Sequence, residues 1–373
     1  MTRSPANRGA DEPILLTPGP LTTAIETRRA MLRDWGSRDR AFIAMTAELR
    51  QRLLDVAHGG ASHVAIPLQG SGTFIVEAAI ATLLRPADKL LVLVNGAYGE
   101  RMVEIARRLG RSVEALRWPE DRPVDPAKLD RALASDPKIT HVALVHCETT
   151  SGLLNPLEPV AEVVAEHGRT LILDAMSSFG VLPIDLSATR VAAVLASSNK
   201  GLEGVPGLGF ALVERATIVA AKGNSPSLSF DLHDQWRGFE GNGQWRFTPP
   251  VQVVAALVEA LRLLEAEGGA PARLRRYQDN FDTLAEGMAR LGFHLFLDPE
   301  EQAPIIATFH PLDDPHFAFD RFYTALAARG FLIYPGKLTK AESFRIGCIG
   351  ALGRADFEAL LVAVEEALGE LRR

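Results

Sequence analysis

Short apolar runs alternate with helix-patterned stretches between about residues 65 and 215, and this alternation restricts the fold more than any other feature. The runs cover 64–68, 89–94, 141–146, 170–174, 191–196 and 209–213, each mostly apolar and bounded by turn residues. Parallel strands buried on both faces read this way. Helix patterns at 73–84, 100–109 and 157–167 lie between them. The alternation predicts an α/β layer around a mostly parallel central sheet flanked by helices. A chain of 373 residues exceeds the roughly 250–300 at which one core stops growing, so two domains are expected. A helix over 251–267 is followed by Gly268-Gly269-Ala270-Pro271, which reads as a stop and hinge. Beyond it, helices over 273–291, 317–329 and 354–372 surround short strands at 305–309, 331–334 and 343–348. The expected division is a large domain over 21–267 and a smaller C-terminal α+β domain over 268–373. Residues 1–20 are expected to join the small domain and the edge of the active site.

Composition narrows the classes. The chain is 47% hydrophobic and 23% charged, as globular proteins are. It holds no run of about 18 apolar residues, so no membrane span is expected. Residues 1–11 read as a polar tail without the apolar core of a signal peptide. Two cysteines, Cys147 and Cys348, exclude a disulfide framework and suggest a reducing cytoplasm. A net charge of −6 gives no basic footprint for nucleic acid.

Ligands of open α/β sheets bind beyond the carboxyl ends of the strands, so the residues after each run matter most. Gln69-Gly70-Ser71-Gly72-Thr73 opens a helix. Its backbone N–H groups and hydroxyls suit a phosphate, or form a tight turn with a hydroxyl cap. The sequence lacks the third glycine of a dinucleotide fingerprint, because Ile75 stands there. Tyr98, among small residues in Asn95-Gly96-Ala97-Tyr98-Gly99, offers a flat face for a ring or ordinary packing. His146-Cys147-Glu148-Thr149-Thr150 lacks metal-ligand spacing and instead offers hydroxyls. No metal is expected. Asp174 ends an apolar run, where a carboxylate either caps the next turn or holds a positive charge. Lys200 follows Ser197-Ser198-Asn199 and precedes glycines. A cleft that desolvates such a lysine lowers its pKa and lets it attack a carbonyl. Together these are the phosphate cup, aromatic plate, carboxylate and amine that pyridoxal phosphate requires.

On these strings the chain resembles the class V, fold-type I pyridoxal-phosphate aminotransferases. More narrowly, it is similar to the 2-aminoethylphosphonate–pyruvate transaminases, through Asp174-Ala175-Met176-Ser177-Ser178-Phe179, Trp245-Arg246-Phe247-Thr248, Tyr334-Pro335-Gly336-Lys337 and Phe344-Arg345-Ile346-Gly347. The resemblance implies a large sheet domain and a small C-terminal domain. It implies Lys200 as the Schiff-base lysine and proton shuttle, and Asp174 as the partner of the pyridine nitrogen. Tyr98 would stack on the ring and Thr149 would bond its phenolic oxygen. Ser71, Gly72, Thr73 and Asn199 would line the phosphate end, and Met176 would complete the cofactor site. Thr248 would reach the phosphate in the neighbouring subunit of a homodimer, or cap the helix before Pro249-Pro250. Arg345 would bind the acidic end of each substrate, 2-aminoethylphosphonate and pyruvate, in a phosphonate-degrading reaction. The stretch Gly36-Ser37-Arg38-Asp39-Arg40-Ala41-Phe42 departs from the family's aromatic and acidic residues. There Arg38 would add a cation for a phosphonate, shift the preferred donor, or lie on a solvated face. The alternatives are an alanine–glyoxylate or serine–pyruvate aminotransferase, a cysteine desulfurase acting through Cys348, a nicotinamide oxidoreductase and a non-catalytic binding protein.

Overall fold

The structure, a computed structural model, describes residues 12–338 and 342–372; the N-terminal tail at 1–11 lies outside them. Seven strands build the main sheet: β1 (His63–Gln69), β2 (Lys89–Val94), β3 (Ser112–Arg117), β4 (Ile139–Val145), β5 (Thr170–Asp174), β6 (Ala193–Ser197) and β7 (Leu208–Glu214). Their order is β1-β7-β6-β5-β4-β2-β3. Only β7 runs antiparallel to its neighbours. The carboxyl ends of the other six therefore share one edge. Apolar side chains on both faces of β2, β4, β5 and β6 are buried by helices, including α1 (Arg40–Val56), α2 (Gly72–Leu83), α3 (Ala97–Arg108) and α4 (Val251–Glu267).

A second core lies around α5 (Gly269–Arg290), α6 (Arg354–Leu371) and an antiparallel sheet of β8 (Ile306–Phe309), β9 (Tyr334–Pro335) and β10 (Phe344–Gly347). Phe293, Phe309, Phe322 and Phe344 pack there edge to face, tilted or stacked, and β10 is wholly buried. The N-terminal segment belongs to this core: Ile14–Leu15 pairs in parallel with Phe331–Leu332, and Leu16 is fully buried. The chain then crosses to the main sheet, where the Gly19 carbonyl faces Lys200.

Most of the expected strands and helices form with ends shifted by a few residues, but the expected strand at 331–334 divides into Phe331–Leu332 and Tyr334–Pro335 in two different sheets, and further elements form beyond those expected. The edge strand β3 and helix α1 were not anticipated. Polar residues alternate along β3, whose side chains are half-buried or exposed. Charged residues interrupt the apolar stripe of α1, which the Asp39 carboxylate starts by accepting the Ala41 N–H. The expected hinge at 268–271 is two residues of positive φ, Gly268 (+107°) and Gly269 (+74°), the second of which already opens α5. Glycine adopts that conformation without the steric penalty other residues incur.

Candidate active site

The shared strand edge opens into a cavity of about 220 Å³. Ser71, Gly72, Thr73, Tyr98, Thr149, Asp174, Met176, Asn199 and Lys200 all line it, so nine of the expected residues converge. At the cup, Ser71 precedes α2 but its hydroxyl makes no capping hydrogen bond. The Phe74 and Ile75 N–H groups donate to the Ser71 carbonyl, leaving those of Gly72 and Thr73 before the first intrahelical bond. Both face an anion-favouring helix terminus. A Cβ on Gly72 would lie 2.7 Å from Met176 Sδ, so only glycine lets Met176 pack beside the cup.

Asp174 is buried at the end of β5, and one of its oxygens accepts the Met176 N–H at 3.0 Å. Burial raises its pKa from 3.8 to about 7, against the pull of the Met176 N–H, Arg101 and Lys200. A carboxylate so placed gains from a cationic N–H in the cavity. Lys200 sits opposite, its Nζ 3.4 Å from the Gly19 carbonyl. Burial, and then the positive charge of Arg345, lower its pKa from 10.5 to about 8. The amine is therefore still mostly protonated at neutral pH, but its unprotonated share is far larger than that of an ordinary lysine.

Arg345, on β10, is buried and makes no ion pair among the described residues. Its Nε donates to the Pro335 carbonyl (3.1 Å) and its Nη1 to the Thr149 carbonyl (2.9 Å). This fixes the guanidinium between the two cores and leaves Nη2 without a protein acceptor among the described residues. Thr248 and Arg38 do not reach this cavity. With Ser37, Trp245, Arg246, Phe247 and Pro249 they surround a second, surface cavity of about 300 Å³. Nor is Thr248 the helix cap, because Pro250 holds that position.

Several residues at the site escaped the sequence reading. Glu148 is wholly buried, and its carboxylate accepts from Thr150 Oγ1 (2.7 Å), Thr150 N–H and Tyr98 N–H. It thereby ties the loop after β4 to the N-terminus of α3, where a negative charge is favoured. Gly96 makes room: a Cβ there would lie 2.3 Å from Glu148 Cδ. Glu203 carries a positive φ of 59° three residues after Lys200. Its carboxylate accepts from Arg276 and from the Tyr277 hydroxyl, each at 2.6 Å. Despite burial, the flanking Arg273 and Arg276 hold its pKa at about 2. Arg273 also donates to the Gly201 carbonyl at 2.8 Å, so α5 grips the loop that bears Lys200. Arg101 lines the cavity, and Lys337 places its ammonium 5.0 Å from the Tyr98 ring centroid. The two cysteines are buried and burial pushes both thiols up, away from the thiolate a desulfurase needs.

The family model described as aminotransferase class-V matches residues 29–337. The chain belongs to the class V aminotransferases. It is 54% identical over 362 residues to the 2-aminoethylphosphonate–pyruvate transaminase of Pseudomonas entomophila (strain L48), covering 97% of this chain and 98% of that one. It is 56% identical over 359 residues to the 2-aminoethylphosphonate–pyruvate transaminase 2 of Burkholderia lata, covering 96% of each. Among solved structures, the alanine–glyoxylate aminotransferase of Nostoc sp. superposes with a TM-score of 0.90 at 28% identity, over 99% of this chain and 98% of that one. The fold is thus that of the fold-type I aminotransferases, as the resemblance implied.

Proposed function

We propose that the chain is a pyridoxal-phosphate-dependent transaminase that transfers the amino group of 2-aminoethylphosphonate to pyruvate, giving phosphonoacetaldehyde and L-alanine. Identity above 50% to transaminases of that name over nearly the whole length carries the substrate assignment. The cavity fits the cofactor. An uncapped helix terminus with free hydroxyls lies at one end, and a buried carboxylate and a buried amine lie within one pocket.

Bound there, pyridoxal phosphate supplies an aldehyde that takes up amines and a ring that withdraws electrons from the carbon bearing the transferred amine. The chain's own residues do the rest. Ser71, Gly72, Thr73 and Asn199 bind the phosphate, and Tyr98 and Met176 cover the ring and exclude water. The Asp174 carboxylate holds a proton on the ring nitrogen, and Thr149 orients the ring oxygen. Lys200 Nζ is the proton carrier, taking a proton from one carbon and returning it to another as base and then acid. Its pKa of about 8 suits both roles. Arg345 receives the phosphonate of one substrate and the carboxylate of the other, because a planar guanidinium pairs with either.

The same reading assigns the large domain to 21–267 and the small domain to 268–373, with 1–20 beside the latter. It makes the enzyme a cytoplasmic homodimer in which Thr248 and Arg38 face the partner's cavity. The partly exposed Phe247 at the rim of the second cavity supports this placement. No helix among the described residues is long and apolar enough to cross a membrane. The test is alanine formation from pyruvate with 2-aminoethylphosphonate, serine or another amine as donor. Turnover confined to the phosphonate amine supports the reading, and preference for serine, or for alanine with glyoxylate, replaces it with the alternative.

A further inference from the structure

Arg101 is the one arginine that lines the main cavity among the described residues. It stands one turn into α3, with its guanidinium carbon 4.9 Å from the Tyr98 ring centroid. Its Nη1 donates to Thr73 Oγ1 at 3.2 Å. No carboxylate among the described residues lies within ion-pair distance of it, although the side chain is half-buried. A cation so placed is costly unless an anion joins it. The other groups at the cup, Ser71, Thr73 and Asn199, are neutral. Four cations (Lys200, Arg101, Arg345 and Lys337) stand around the cavity against two buried carboxylates, Asp174 and Glu148. The imbalance fits a doubly charged ligand.

The hydrogen bond to Thr73 decides which end of the cavity Arg101 serves. Thr73 is the second residue of α2, beside the unbonded N–H groups of its first turn. Because the Thr73 oxygen accepts from Arg101, its own hydroxyl proton is free to point into the cup. We propose that Arg101 is the charge-bearing ligand of the cofactor's phosphate, acting directly through its guanidinium and by setting the Thr73 hydroxyl as a donor. Arg345, on a strand of the other core, serves the acidic end of the substrate. This assignment rests on the pyridoxal-phosphate reading above.

The test compares two probes on the cofactor-free chain: pyridoxal phosphate and pyridoxal, which lacks the phosphate. Dissociation constants are measured by absorbance or fluorescence titration for wild type, Arg101→Met and Arg101→Lys. Losing one charge-assisted hydrogen bond from a buried site weakens binding by about tenfold to a hundredfold. Arg101→Met should weaken pyridoxal phosphate by that factor and change pyridoxal by less than about twofold. Arg101→Lys, which keeps the charge but not the fork, should lose less. Equal weakening of both probes assigns Arg101 to the ring or the fold and overturns the proposal. Unchanged pyridoxal phosphate binding with a raised KM for the amino donor assigns it to the substrate and also overturns it. A wild-type chain that takes up neither probe refutes the cofactor reading instead. Thermal melting of each cofactor-free variant checks folding, and if Arg101→Met fails to fold, the Arg101→Lys comparison of the two probes decides alone.

Discussion

Replacing Lys200 with methionine should stabilise the cofactor-free chain while ending turnover. Burial, and then the charge of Arg345, hold the folded pKa at about 8 against an ordinary 10.5. Between those values the unfolded chain binds more protons than the folded one, so stability rises with pH across that window. Below about pH 8 the full penalty of the buried charge stands. At about 1.4 kcal/mol per pH unit, the gap is worth about 3 kcal/mol. Methionine has a similar length and no charge, so the variant should recover most of that. An unfolding entropy of about 2.1 cal/mol/K per residue converts the gain into a Tm increase of about 4 °C for a chain of this length. The assay is thermal unfolding of the cofactor-free protein and the variant, at matched scan rates, at pH 7 and pH 10.5. The gain should appear at pH 7 and shrink towards zero at pH 10.5. No gain at pH 7, or the same gain at both, would show that desolvation of this amine is not what sets its pKa.

Glu203→Gln should destabilise the fold by up to about 3 kcal/mol, because Arg273 and Arg276 would lose one of their two carboxylate partners and be left to share Glu267 alone. The native pKa of this carboxylate is depressed, so its contribution is present above about pH 4.5 and lost as pH falls towards 2; urea unfolding at pH 7 and pH 3 checks both the loss and its narrowing. Asp174→Asn should cut turnover by about a hundredfold or more while the variant still takes up cofactor, which absorbance and steady-state rates separate. Arg345→Ala should raise KM for both 2-aminoethylphosphonate and pyruvate by about tenfold or more; a change for neither would remove it from substrate binding. Arg345→Lys should recover only part, since one ammonium cannot hold the Thr149 and Pro335 carbonyls and also grip an acid.

The buried part of the fold was the legible part. Strands β2 and β5 are continuous apolar runs flanked by turn residues, and their positions follow from that pattern alone. The edge strand β3 exposes half its side chains, so its composition carries no such signal. The site was legible where chemistry sits just after a strand, as with Ser71, Asp174 and Lys200. It was illegible where a residue reaches the cavity from within a helix or from another core. Arg101 reads as an ordinary surface position of α3, and only the fold turns it towards Thr73. Glu148 lies in a run whose hydroxyls drew attention, yet it is its carboxylate that acts, consumed by backbone and hydroxyl donors of its own loop and of α3. Thr248 and Arg38 illustrate the reverse. Their strings pointed to the active site, while within one chain they surround a separate surface cavity.

The central claim is that the Lys200 amine carries the cofactor. Borohydride reduction of the pyridoxal-phosphate-loaded enzyme, followed by proteolysis and mass spectrometry, tests it most directly. The account predicts a reduced phosphopyridoxyl group on the peptide containing Lys200 and on no other lysine peptide, Lys337 included. Label on another lysine, or none on a protein that nevertheless converts substrate, would contradict it.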